Sequence, residues 1–200
     1  LPNTDLQRNT VSFSGDYNIT DKLSVSSKMN YIRSDSDNRH VNGYGTESVM
    51  YLFIWWGQNV SMNSLKNYWQ TGLEGFQQYN YNYNYHDNPY FTMFENTNAL
   101  AKDRLLGNFS ANYKFNDNLS LQLRAGRDFF SEYRTIKRAY STQRFPNGQF
   151  REDKINFEET NLDFLFNFYN EFSDLFKIDF NLGGNRMIQK NHFNSLMANK

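Results

Sequence analysis

Three histidines are the first residues to weigh for chemistry. His40, His86 and His192 stand far apart, and neither an H-E-x-x-H pattern nor any other ligand spacing joins them. Asp35-Ser36-Asp37-Asn38 has the opening of a calcium loop but lacks the glycine and distal glutamate required at fixed positions. Glu158-Glu159 and Glu171 are carboxylates of the kind that work in pairs on glycosidic bonds, a pairing that any acidic chain offers. No G-x-S-x-G or phosphate loop occurs, and with 0 Cys no thiolate site or disulfide can be built. The expectation is a chain that is not an enzyme and carries no catalytic residue, metal site or cofactor.

Aromatic residues offer a different chemistry, that of stacking and contact. Tyr79-Asn80-Tyr81-Asn82-Tyr83-Asn84-Tyr85-His86 alternates aromatic with polar, the period of a β-strand with its rings on one face. Tyr81, Tyr83 and Tyr85, with Trp55, Trp56 and Trp69, are the candidate substrate or partner contacts. Packing of a loop against its neighbours uses the same residue types, because tyrosine supplies apolar area together with a hydroxyl. The apolar run Val49–Trp56 reads equally as a buried strand or a short helix. It is far below the roughly 20 residues of a membrane helix.

The elements that must position these residues are hairpins. Tyr17–Val25 and Tyr113–Leu121 each join two alternating runs through a polar turn containing an Asp, and Phe172–Ile178 is a looser version centred on Asp174. Asp and Asn suit such turns because their side chains bond nearby backbone. Parity sorts the flanks. Phe109, Leu121, Leu123, Phe164, Phe166 and Phe180 fall on one face. Ser110, Arg124, Asp163, Lys177 and Asp179 fall on the other. Arg127 breaks the pattern. The reading is about six strands of roughly 10 to 13 residues, long enough to cross a bilayer when tilted. Long segments, 36–103 and 131–158, link the hairpins at the end away from the short turns.

Composition narrows the class. The chain has 200 residues and is 18% aromatic, with 19 Phe and 14 Tyr, yet its mean hydropathy is distinctly hydrophilic. A wall with one apolar and one polar face has that mixture, because half of every strand is polar. Equal numbers of basic and acidic residues, 21 of each, give no electrostatic case for nucleic acid. The expected fold is all-β, a section of a transmembrane antiparallel β-barrel with short periplasmic turns and long extracellular loops. The alternative is a soluble, aromatic-rich β-sandwich that binds carbohydrate. Six strands are too few to close a membrane barrel, and the chain begins Leu1-Pro2 rather than with Met. Both features read as a piece of a longer protein.

The long first loop carries the most specific text: Gly43-Tyr44-Gly45-Thr46-Glu47-Ser48, Met50–Gly57, Met62–Trp69, Gly75-Phe76-Gln77-Gln78, Tyr85–Phe91 and Glu95-Asn96-Thr97-Asn98. With Tyr113-Lys114-Phe115, Ala139–Thr142, Arg144-Phe145-Pro146 and Gly183-Gly184-Asn185-Arg186, it resembles the SusC/RagA-type TonB-dependent outer-membrane transporters of Bacteroidetes. That resemblance implies a mid-barrel fragment of a barrel of about 22 strands around a plug domain absent from this chain. It implies import of oligosaccharides or peptides beneath a SusD-like surface lipoprotein, driven by the TonB complex through regions absent here. Phe109, Phe164, Phe166 and Phe180 would then face outer-membrane lipid, and the polar set would face the lumen or plug. The tyrosine run would lie in an extracellular loop.

Overall fold

The computed structural model describes residues 1–57, 59–173 and 175–199. Six strands form one antiparallel sheet in chain order, β1 (Gln7–Asn18), β2 (Leu23–Ser36), β3 (Asn98–Asn116), β4 (Leu119–Thr142), β5 (Phe145–Ser173) and β6 (Phe176–Asn199). Between β2 and β3 lies an insert, 37–97, with two short helices, α1 (Val49–Ile54) and α2 (Pro89–Glu95). The chain is all-β and builds one sheet, so the alternative of two packed sheets is not the fold it adopts. The sheet is open, with β1 and β6 as its edges.

Pairing register decides which residues share a face, because directly opposed residues point the same way. One row runs Ser27, Phe109, Ala125, Leu162 and Arg186, and the next runs Val25, Ala111, Leu123, Phe164 and Gly184. Phe166 and Phe180 follow on the same face, where Phe115 meets Phe166 with ring centroids 6.2 Å apart. The face is apolar and uncovered: Phe109 is 48% exposed and Phe180 54%. Ser110, Arg124, Asp163, Lys177 and Asp179 share the opposite face. There, ion pairs cross between neighbouring strands, Lys102 to Glu132 (2.9 Å), Arg104 to Asp128 (2.5 Å) and Arg124 to Asp163 (2.6 Å). Buried apolar side chains belong instead to the insert and the top of β3: Val49, Leu52, Leu65, Phe91, Met93 and Leu100.

The short turns march diagonally across the sheet. Following the hydrogen-bonded row from Leu23 at the start of β2 leads to Leu182 in β6, six residues beyond the start of that strand at Phe176. Six residues along a strand and four strand spacings across are both about 20 Å. Turns lying in one plane therefore require strands tilted about 45° to its normal, the tilt of a barrel wall.

Two expectations are corrected. Residues 131–158 are not a loop: they continue β4 and β5 as a paired hairpin that closes at a two-residue turn, Gln143-Arg144. The strands of this sheet consequently reach 24 and 29 residues instead of 10 to 13. Above Phe129 neither face is apolar, so hydrophobic alternation fades while pairing continues. Cross-strand contacts hold it there, with Phe130 stacked on Phe157 at 5.1 Å and Arg134 ion-paired to Glu132. The turns are also not closed by their Asp residues. Thr20 Oγ1 accepts from the Lys22 and Leu23 amides, and Asn116 Oδ1 from the Asn118 amide. Asp174, the centre of the third turn, lies outside the described residues.

Candidate functional site

The insert sits at the end of the sheet away from the short turns and is capped and packed like a small domain. Ser48 accepts from the Tyr51 amide at 3.4 Å and starts α1. Asn88 accepts from the Tyr90 and Phe91 amides and Pro89 fills the first turn of α2. Both caps satisfy backbone donors that a helix start leaves without partners. The run Val49–Trp56, open between strand and helix in the sequence, is helical through Ile54. Leu52 and Phe91 are fully buried between the two helices.

Beyond Ile136, where β3 ends its pairing, the edge of β4 has no strand beside it. Side chains of the insert take that place. Asn96 Oδ1 accepts from the Ala139 amide (2.9 Å), Gln78 Nε2 donates to the Ser141 carbonyl (2.6 Å), and Asp87 Oδ1 accepts from the Gln143 amide (2.7 Å). Alternate residues of an exposed strand edge are thus each met by one polar side chain, which blocks pairing with another chain. Gln78 ties the set together, donating to Asp87 Oδ1 at 2.8 Å and accepting from the Asn88 amide at 2.8 Å.

Gln78, Asp87 and Asn88 are fully buried. Burial without a cation in contact pushes the Asp87 carboxyl up to about 6, with the Gln143 amide and Gln78 side chain opposing the shift. Its second oxygen, Oδ2, is buried without a hydrogen-bond partner among the described residues, as are His86 Nδ1 and Thr92 Oγ1. Burial lowers the pKa of His86. Tyr68, half-buried and donating to Glu95 at 2.9 Å, is pushed up to about 12. Of these groups only His86 was weighed in the sequence, as an isolated histidine; Gln78, Asp87, Asn88, Thr92 and Tyr68 were not assigned a role. Asn88-Pro89 was the available signal, an N-cap residue followed by the proline that favours a first helical position.

The six aromatic candidates do not form one face. Trp56 stacks on Tyr81 with centroids 4.6 Å apart, and the Tyr81 hydroxyl donates to the Trp55 carbonyl while accepting from the Gly57 amide, both at 2.8 Å. Trp69 lies elsewhere, edge-on to Phe91 at 5.2 Å. Tyr83 and Tyr85 are 61% and 65% exposed, and Trp55 is 54% exposed over His86. The strand expected for YNYNYNYH is corrected: residues 83–85 are a turn closed by Asn82 and His86. Asn82 Oδ1 accepts from the Asn84 amide, so asparagine's local bonding overrides the alternation of the run.

A cavity of about 590 Å³ opens between the insert and the upper hairpin, lined by Trp69, Glu95, Lys137, Tyr140 and Phe150. Glu158 and Glu159 point to opposite faces, the first toward Arg127 and the second toward Asn161. Asp35 is held by Arg33 at 2.6 Å. Among the described residues no group of three or more His, Cys, Asp and Glu is placed to hold a metal ion.

No protein-family model and no curated protein matches the chain. Solved structures share its fold. A chain of the RagAB peptide importer in its "open-open" state superposes with a TM-score of 0.66 and 14% identity, over 97% of this chain and 21% of that one. The "closed-closed" state gives 0.67 and 13%, over 98% and 22%. This chain spans about a fifth of the length of those chains. At such identity the likeness is one of fold: a six-stranded section of a much longer β-structure, with the same course through nearly every residue of this chain.

Proposed function

We propose that the chain is a section of the barrel wall, with one surface insert, of a TonB-dependent outer-membrane importer of the SusC/RagA type. The observation that carries this reading is the division of one tilted sheet into an uncovered aromatic and aliphatic face and an ion-paired face. A lipid-exposed wall around a polar interior has this division. Phe109, Phe164, Phe166 and Phe180 face lipid in this reading, and Arg124, Asp163, Lys177 and Asp179 face the plug or lumen. Open edges at β1 and β6 would each leave a row of backbone groups unsatisfied in hydrocarbon, at several kcal/mol per group, so further strands complete the barrel.

The insert lies on the extracellular side, opposite the short periplasmic turns. Its exposed Trp55, Tyr83 and Tyr85 are the residues available to a substrate or to a SusD-like lipoprotein lid, while Trp56, Trp69 and Tyr81 hold the insert together. Peptide is the favoured substrate class because the structures sharing the fold are described as peptide importers. An oligosaccharide is the competing cargo. The chain contributes wall and surface, and the energy for transport enters through the plug and TonB complex.

Fractionation of the native gene product tests the reading. The expected species is several times larger than 23.8 kDa and is released from outer membranes only by detergent. A soluble species of about 23.8 kDa would overturn it.

A further inference from the structure

We infer that the apolar face carries a seat for an anionic lipid, with a phosphate on Arg186 and an acyl chain in the groove beneath it. The inference rests on the outer-membrane reading above. Depth along each strand is measured from its short turn. Arg186 is ten residues from the start of β6 at Phe176, which at a 45° tilt is about 23 Å, the upper border of an apolar band about 25 Å tall.

Other arginines of this face near that border have anionic partners. Arg33 reaches Asp35 at 2.6 Å and Asp103 at 2.5 Å, and Arg127 reaches Glu158 at 3.3 Å. Arg186 is exposed and forms no ion pair or hydrogen bond among the described residues. Lys190 lies opposite Glu158, so Arg127, Arg186 and Lys190 outnumber the one carboxylate between them. A guanidinium at the edge of hydrocarbon with no carboxylate is complementary to a phosphate, which it binds through two parallel hydrogen bonds.

From Arg186 a groove of about 540 Å³ runs toward the middle of the band. Phe109, Leu123, Leu162 and Phe164 wall it, and Ala125 and Gly184 are the small residues that leave it hollow. A Cβ on Gly184 would stand 2.7 Å from Cε1 of Phe164, so the hollow depends on glycine at that position. The groove and its cation lie toward the same end as the insert, away from the short turns. That is the outer leaflet, and the occupant is accordingly its phosphorylated, acylated glycolipid and not a phospholipid of the inner leaflet.

The full transporter, purified from outer membranes in mild detergent, would be examined by native mass spectrometry and by counting retained glycolipid phosphate. Folding of each variant is checked by its shift on unheated gels. Wild type should retain the glycolipid. Arg186→Gln and the groove-filling Gly184→Leu should each reduce retention by about tenfold, and Lys154→Gln, on the same face above the groove, should leave it unchanged. Gly184→Ala serves if the leucine variant does not fold. Equal retention by Arg186→Gln and wild type, retention of phospholipid alone, or no retained lipid would overturn the seat while leaving the membrane reading intact. A protein found only in the soluble fraction would remove both.

Discussion

Tyr81 and Tyr83 stand two residues apart in one alternating run and have opposite roles. Tyr81 lies flat on Trp56 and its hydroxyl bonds the backbone on either side of that tryptophan. Tyr83 points into solvent. Replacing Tyr81 by Phe keeps the stack but removes the hydrogen bonds to the Gly57 amide and Trp55 carbonyl, a cost of about 0.5–1.5 kcal/mol each to the insert. The expected result is faster protease cleavage of the insert in the assembled protein. Tyr83→Ala and Tyr85→Ala should leave cleavage unchanged, within about 0.5 kcal/mol, and, under the proposed function, weaken capture of cargo or lid instead. Faster cleavage of the Tyr83 variant would show that its ring is structural after all. Residue type marked these tyrosines as contacts in the sequence. It could not separate the two roles, because the separation depends on where a turn at Asn82 sends each ring.

At the scale of elements, the insert is docked on the upper edge of β4 by a carboxylate that burial keeps from ionising readily. Asp87 faces Glu47, which raises its pKa further, and Arg138, which lowers it. Arg138 is itself ion-paired to Glu47 at 2.5 Å. A folded-state pKa of about 6, against 3.8 for an ordinary aspartate, means the docked insert holds its proton more tightly than the undocked one. Docking is then strongest below about pH 4 and weakens as pH rises to about 6, by about 3 kcal/mol in all. Asp87→Asn keeps an oxygen for Gln78 and Gln143 and abolishes the titration. Hydrogen exchange of the Gln143 amide should slow markedly between pH 7 and pH 5 in the wild type, beyond the intrinsic pH effect, and should show no such excess in the variant. The same excess in both would assign the pH dependence to another group. This docking was invisible in the sequence for a physical reason. Gln78, Asp87 and Asn96 read as ordinary loop polars, and only the strand edge that they cover makes them structural. The hairpin beyond Phe129 was hidden similarly, since residues such as Glu132, Arg134, Arg151 and Asp153 make ion pairs that no hydrophobic period records. By contrast, the wall below it was legible in the sequence, apart from Arg127. Each face of that wall has one polarity, so Leu121 and Leu123 in the second hairpin and Phe164, Phe166 and Phe180 in the third keep alternation that a sequence records.

For the molecule as a whole, the tilt read from the registers converts sequence position into depth, and depth into energy. In the barrel proposed above, Phe166, six residues from Phe172 beside the β5–β6 turn, would lie about 14 Å into the apolar band and close to its middle. Thr160 lies on the same face twelve residues from Phe172, about 28 Å away and beyond the upper border. Its register partners are Arg127 and Ile188, and Glu158 and Lys190 follow in the next row, so the strand leaves the apolar band there. In the assembled barrel, Phe166→Arg should therefore cost about 2–4 kcal/mol, Phe166→Asp less, and Thr160→Arg only about 0–1 kcal/mol. Denaturant titration of the refolded transporter in lipid measures these costs, and the fraction of heat-modifiable protein in cells reports the consequence for assembly. A wall in water would rank them differently, since Phe166 is partly exposed in the sheet and an arginine there would be tolerated nearly as well as at Thr160. The depth dependence thus discriminates where a single substitution would not. Equal penalties at Phe166 and Thr160 would sink the membrane assignment of this face, and a steep difference between them would support it.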